Sequence, residues 1–264
     1  MLLIHLSVKL LSSKIMEIIH LADVLEKKFL TEDIFLIRLL APDIAINCQP
    51  GQFVNLRCSH LYDPLLRRPI SIFDADGDKG EIFLLIRIVG KGTNLLSKFE
   101  KGDKLDILGP LGNSFPKDDF RNPLLVAGGI GIAPLYFLAK NLNHPTLIWG
   151  AKNEKEFFLL DELRESSCLF VFTEDGSFGE KGLATEKLAF LSQGHDVIFA
   201  CGPVQMLKEV VRIAREIGIP SFISLEERMA CGFGACLGCA VRTKQGYKIL
   251  CKEGPILPGE EVIF

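Results

Sequence analysis

The sequence has no excess of charge of either sign: 30 Lys and Arg stand against 33 Asp and Glu, a net charge of −3 over 264 residues. That balance excludes a broad basic surface able to follow a phosphate backbone, so no nucleic-acid partner is expected. Nor does any apolar run approach the roughly 20 residues a helix needs to cross a bilayer, so no membrane partner is expected either. The apolar start, Met1 to Leu11, is broken by His5 and Lys9 and followed by no small-residue cleavage site. A secretory signal is therefore not expected, and the cytoplasm is the expected compartment. Met16 is a candidate natural start, because the strand pattern begins just after it. The five histidines show no ligand spacing, no Ser/His/Asp arrangement is legible, and there is neither an internal repeat nor a low-complexity tract. What remains is 48% hydrophobic and 24% charged, the balance of a globular chain with room for two modest cores and an appendage.

Two sequence patterns follow one another. Residues 17–112 carry short β-rich runs, Ile34–Leu40, Phe53–Arg57, Ile82–Val89 and Leu105–Leu108, punctuated by Gly, Pro and Asp. They predict a small antiparallel barrel, a closure that leaves no sheet edge exposed. From Leu124 short apolar runs alternate with helical periodicity: strands at Leu124–Ala127, Thr146–Trp149, Leu169–Thr173 and Val197–Ala200, and helices after Gly131, over Glu154–Glu165, over Leu183–Leu191 and from Pro203. Repeated β-α units predict a doubly wound parallel sheet. Residues 223–264 are rich in Cys and Gly and too short for a core of their own, so an inorganic centre is expected to hold them. The expected divisions are 17–118, 119–222 and 223–264.

Eight cysteines are unevenly spread: Cys48, Cys58, Cys168 and Cys201 stand singly, while Cys231, Cys236, Cys239 and Cys251 crowd the end. The spacing C-x4-C-x2-C-x11-C matches the plant-type ferredoxin pattern of a [2Fe-2S] centre. Gly232, Gly234 and Gly238 let the backbone curl around such a centre and aim N–H groups at its sulfurs. The alternative is a structural zinc site, though zinc ribbons use two C-x2-C knuckles and only one is present here. Cys48, Cys58 and Cys168 are expected to be structural.

Three further groups bear on ligands. Arg67-Arg68-Pro69-Ile70-Ser71, with Leu85-Ile86-Arg87 and Gly92-Thr93, suits a molecule anionic at one end and flat at the other. A pair of solvated arginines at a strand end would read the same way. Gly128-Gly129-Ile130-Gly131-Ile132-Ala133-Pro134 follows a predicted strand and opens a helix, where free N–H groups favour a phosphate. It could equally be a plain tight turn, and it is not G-x-G-x-x-G. Cys201-Gly202-Pro203 ends the last predicted parallel strand, on the side where such sheets bind ligands, unless Cys201 is simply a core thiol. Thr173-Glu174-Asp175-Gly176 ends the strand before it and borders the same crevice.

In order, these segments resemble the iron–sulfur electron-transfer subunit of NAD-linked (class 1B) dihydroorotate dehydrogenases, a branch of the ferredoxin reductase superfamily. The resemblance runs from about Glu17 to the end. It is most specific at Asp63–Ser71 and along Leu225-Glu226-Glu227-Arg228-Met229-Ala230-Cys231-Gly232 to Cys239. It implies a multi-domain β plus α/β architecture: an antiparallel FAD-binding β-barrel, a doubly wound nucleotide-binding domain and a small C-terminal [2Fe-2S] domain. It implies that Arg68, Pro69, Ile70 and Ser71 bind FAD, that Leu85, Ile86 and Arg87 lie along it, and that Gly92 and Thr93 hold its pyrophosphate. Gly128, Gly129, Gly131, Pro134, Cys201, Gly202 and Pro203 would face NAD, and Cys231, Cys236, Cys239 and Cys251 would ligate the cluster. The implied partner is an FMN-containing catalytic subunit, two copies of each forming a heterotetramer in pyrimidine (UMP) synthesis. A nicotinamide moves two electrons as hydride and a [2Fe-2S] centre moves one, so a flavin must stand between them. A hydrogenase or ferredoxin:NADP reductase subunit would share the scaffold, whereas a zinc-stabilised binding module would carry no flavin. Two features depart from the pattern: the stretch between Cys239 and Cys251 is short, and residues 1–15 have no counterpart. Lys152, where an acidic ribose contact would be usual, leaves NAD against NADP to the resemblance.

Overall fold

The computed structural model describes residues 19–59, 61–116 and 120–264; the candidate start at Met16 and the divisions at 17 and 118/119 lie outside them. Six strands, β1 (Ile19–Phe29), β2 (Ile34–Leu40), β3 (Phe53–Leu56), β4 (Arg68–Asp76), β5 (Glu81–Arg87) and β6 (Lys104–Leu111), close into an antiparallel barrel in the order β1-β2-β5-β4-β3-β6. Two short helices, α1 (Pro42–Asn47) and α2 (Lys91–Leu96), fill its connections. Period-two alternation puts Phe35, Ile37 and Leu39 of β2 and Ile82, Leu84 and Ile86 of β5 into one sealed core. The sequence places β3 and β5 one or two residues too long and β6 too short.

The chain then enters β7 (Pro123–Gly128), α3 (Ile132–Lys140), β8 (Thr146–Ala151), α4 (Leu160–Ser166), β9 (Cys168–Thr173), the two-residue β10 (Glu180–Lys181), α5 (Leu188–Leu191), β11 (Val197–Cys201), α6 (Val204–Ile217) and β12 (Ser221–Ser224). The sheet order is β10-β9-β8-β7-β11-β12-β15, the last being the C-terminal strand Ile256–Pro258, and the sheet is parallel up to β12. Strand β7 is buried at every residue. Its Leu124 and Val126 face the core shared with Leu207 and Val210 of α6, while Leu125 and Ala127 face Leu135 and Leu138 of α3. The two helices therefore cover opposite faces, as a doubly wound sheet requires.

Two predicted helices are shorter than their periodicity suggests. Over Glu154–Glu165 the chain makes only a 3-10 turn at Glu154–Glu156, capped by Asn153 Oδ1 accepting from Lys155 N at 3.1 Å, before α4 begins at Leu160. Between them Phe157 and Phe158 pack edge-on against Trp149, with ring centroids 4.7 and 5.1 Å away, which pulls the backbone out of helix. Over Leu183–Leu191 a series of turns precedes α5, with Glu186 N on Leu183 O and Leu188 N on Thr185 O. The helix expected from Pro203 starts at Val204, with Pro203 as its cap.

The C-terminal stretch holds the hairpin β13 (Ala240–Thr243) and β14 (Gly246–Ile249), the one-turn helix α7 (Leu250–Glu253) and β15 (Ile256–Pro258). It does not stand apart. Strand β15 adds antiparallel to β12, and Leu225, Met229, Leu250 and Cys251 share a core with Phe53, Leu108 and Leu111 of the barrel. The barrel also meets the sheet through Phe73 stacked on Tyr136, centroids 4.1 Å apart, and through the Lys140–Asp74 ion pair.

Candidate functional site

Strands β4 and β5 pair from Asp76↔Glu81 to Ile72↔Leu84 and no further. Beyond that point Arg68–Ser71 pair only with β3, and Leu85–Arg87 only with β2, so two backbone edges face each other without a ladder. Arg68–Ser71 are half-buried, as residues lining a slot would be. Arg68 Nη1 donates to Leu66 O at 2.8 Å, and its guanidinium lies against Gly92, where a Cβ would fall 2.6 Å from Nε. With no side chain at Gly92, the guanidinium can lie directly against the backbone there. Thr93 Oγ1 accepts from Val89 N at 2.9 Å and Gly90 N at 3.2 Å, shaping the turn. The Leu85 and Ile86 side chains are buried in two cores, so only their backbone borders the slot. Arg87 is tied to Glu156 at 3.1 Å and Asp33 at 3.4 Å. A cationic end beside a flat, half-buried slot fits a dinucleotide flavin.

Arg87 also borders a cleft of about 960 Å³ at the carboxyl ends of the parallel strands, the side on which open α/β sheets bind ligands. Its floor is the turn after β7: Gly129 has φ +53° and its carbonyl accepts from Trp149 Nε1 at 2.9 Å. A Cβ on Gly131 would fall 2.3 Å from Cys201 O, so the β7 turn and the end of β11 touch backbone to backbone. Gly128, Gly129, Gly131, Gly202 and Pro203 line the cleft. Pro134 and Cys201 do not; both are buried beneath it, Cys201 at 2% exposure. Burial pushes the Cys201 thiol far up, with Glu226 adding to the shift. Glu226, absent from the sequence-derived set, opens into this cleft, and its carboxyl is raised by desolvation. Glu174 and Lys152 line the far end, and Arg242, Tyr247 and Phe264 form the C-terminal wall.

The third group is the loop Cys231–Cys239 with Cys251. Gly232, Gly234 and Leu237 take φ values of +80°, +87° and +57°, turning the loop tightly. Cys251 arrives on the one-turn helix α7. Backbone N–H groups point at sulfur: Gly234 N on Cys251 Sγ at 3.1 Å, Cys236 N on Cys231 Sγ at 3.4 Å, and Cys251 N on Cys239 Sγ at 3.4 Å. Burial acts to raise the Cys231 thiol, but the N–H groups of Cys236, Phe233 and Ala235 and the Cys236 side chain outweigh it and bring it down to about 7. Among the described residues no three His, Cys, Asp or Glu side chains converge as ligands of one ion. The Cys231 side chain interacts with that of Cys236, and the Cys251 side chain with that of Cys239; four thiols on one loop and the helix beside it are a donor set that suits a [2Fe-2S] centre. Of the remaining cysteines Cys58 is buried and Cys48 half-buried, but Cys168 is exposed at the start of β9 and is not a core residue.

This fold and donor set define a ferredoxin-reductase-type flavin and nicotinamide oxidoreductase with an iron–sulfur centre. Family models agree: an oxidoreductase FAD-binding domain matches residues 22–115, an oxidoreductase NAD-binding domain 125–212, and the iron–sulfur cluster binding domain of dihydroorotate dehydrogenase B 226–263. The dihydroorotate dehydrogenase B (NAD(+)) electron transfer subunit of Clostridium acetobutylicum is 42% identical over 218 residues, 82% of this chain and 87% of the relative. That of Geobacillus thermodenitrificans is 37% identical over 251 residues, 91% and 97%. A chain of the solved NADH-dependent reduced ferredoxin–NADP oxidoreductase, studied for flavin-based electron bifurcation, superposes with a TM-score of 0.84 at 35% identity, covering 92% of this chain and 90% of that one. The chain belongs to the family of dihydroorotate dehydrogenase B electron transfer subunits.

Proposed function

We propose that this chain is the electron-transfer subunit through which electrons leave the FMN of a dihydroorotate dehydrogenase catalytic subunit and reach NAD+, by way of a [2Fe-2S] centre and FAD. The observation that carries the reading is the order of the three sites. Arg87 borders both the flavin slot and the nucleotide cleft, while β3, paired with the other side of the slot, lies against the cluster loop at Gly232. Bound there, a flavin exchanges hydride with a nicotinamide and single electrons with iron, the conversion the two neighbours require.

The residues then divide by role. Arg68, with Gly92 and the turn shaped by Thr93, takes the flavin pyrophosphate; Pro69, Ile70 and Ser71 and the backbone of Leu85, Ile86 and Arg87 border its ring. Gly128, Gly129 and Gly131 offer N–H groups to the NAD pyrophosphate, and Gly202 and Pro203 close over the nicotinamide, with Cys201 and Pro134 beneath. Cys231 and Cys236, and Cys239 and Cys251, hold the irons. The working units are 17–118, 119–222 and 223–264, the assembly is two of each subunit, the compartment is the cytoplasm, and the pathway is pyrimidine synthesis.

Mixing the loaded chain with an FMN-containing dihydroorotate dehydrogenase subunit is expected to give dihydroorotate-dependent reduction of NAD+ in strong preference to NADP+. Failure of that coupling with flavin and iron both bound would overturn the reading. The 35% likeness to the ferredoxin–NADP oxidoreductase chain favours one second reading, a ferredoxin–nucleotide reductase subunit. Reduction by ferredoxin without response to dihydroorotate would select it.

A further inference from the structure

Asn55 lies in the middle of β3 and is completely buried, yet neither its side-chain Nδ2 nor its Oδ1 has a hydrogen-bond partner among the described residues. Its register partners are Pro69 on β4 and Leu108 on β6. Residues opposite one another share a face, and this is the face turned away from Val54 and Ile70, which belong to the barrel core. The cluster loop covers it: a Cβ on Gly232 would fall 2.9 Å from Asn55 Nδ2 and 3.1 Å from Leu108 Cδ2 and Leu111 Cδ1. Asn55 is therefore an amide set among leucines, with its nitrogen against the residue that follows Cys231. An unpaired N–H in such surroundings is costly and rare, which points to a partner that arrives with the iron.

We propose that Asn55 is a positioning residue for the iron–sulfur centre, its Nδ2 donating a hydrogen bond to the sulfur shell beside Cys231 once the centre is in place. The proposal rests on the cluster reading above. Two observations favour the cluster over the flavin as acceptor. The nitrogen is the atom against the loop, and full burial seals Asn55 from a molecule lying along the half-buried edge of Arg68–Ser71, whereas the centre is built inside the loop that seals it. A donor to cluster sulfur stabilises the more negative, reduced state and raises the potential.

The test replaces the amide in two ways, Asn55→Leu, close in volume, and Asn55→Thr, which suits a strand. Each full-length variant is loaded with iron, sulfide and FAD without oxygen. Cluster and flavin are then titrated separately, by EPR and by visible absorption, and iron-free protein is melted. At a fixed potential the reduced-to-oxidised ratio of the cluster is expected to fall about tenfold in both variants, about 59 mV for one electron, with the flavin unmoved and the iron-free Asn55→Leu midpoint not lowered. Loss of cluster loading with an unchanged iron-free midpoint would also support the role. An unaltered cluster potential in a loaded variant overturns it, as does a shift confined to the flavin. Failure of both variants to fold without iron overturns it too, since the amide then serves the fold. A parent chain that binds flavin but shows no [2Fe-2S] signal sinks the proposed function instead.

Discussion

At the scale of single residues, the eight cysteines divide by environment, not by count. Burial pushes the Cys201 thiol far up and Cys48 up to about 11, and raises Cys58 against the pull of Arg68 and Arg67. Alkylation needs the thiolate, so a raised pKa lowers the reactive fraction at any pH below it, and burial removes access as well. Cys168 lacks the protection of burial, being exposed on β9. In cluster-loaded protein at pH 8, iodoacetamide followed by peptide mapping is expected to modify Cys168 first, Cys48 slowly, and Cys58 and Cys201 only after unfolding. Early modification of Cys201 would mean that its thiol reaches the nucleotide cleft, contrary to its 2% exposure.

At the scale of elements, the turn joining β7 to α3 is decided by contact with the end of β11. Adding a methyl in Gly131→Ala drives a Cβ to 2.3 Å from Cys201 O and 2.5 Å from Cys201 C, backbone atoms that cannot swing aside. Overpacking of this kind costs about 1–3 kcal/mol. The variant is expected to melt several degrees lower and to bind ADP-ribose more weakly, measured by calorimetry; an unchanged affinity would show that the turn does not hold the nucleotide. This element was legible in the sequence because its signal is local: a buried strand, glycines, then helical periodicity. The cluster ligands were legible for the same reason, through spacing alone. Glu226 was not, because it enters the cleft only through the β11–β12 pairing that sets Cys201 beside Ser224. Asn55 was hidden likewise, its meaning coming from Gly232, far away in sequence. The broken helix at Phe157 was illegible because its cause is Trp149 across the sheet end, and β15 because three residues carry no period.

At the scale of the whole molecule, the question is how far the fold depends on the iron. Residues 223–264 looked too short to hold themselves, yet much of their structure is anchored elsewhere. Asn113 at the barrel exit donates from Nδ2 to Ile256 O at 2.8 Å and Glu253 O at 3.2 Å, and accepts from Ile256 N at 3.0 Å. Pairing of β15 with β12 adds a second tie, and Leu250 and Cys251 are buried against the barrel core. None of these contacts requires metal. The loop from Cys231 to Gly238 differs: it is largely exposed or half-exposed, turns through left-handed residues, and hydrogen-bonds mainly to thiol sulfur. Removing iron with a chelator under reducing conditions is therefore expected to release the loop alone, because local opening follows low burial and few internal hydrogen bonds. Limited proteolysis of stripped protein should cut between about residues 230 and 240 and leave β15 protected. FAD binding and NADH-driven reduction of a hydride-accepting dye should persist while transfer to a one-electron partner is lost. A global loss of the cooperative melt on chelation would show instead that the centre holds the barrel and the sheet together.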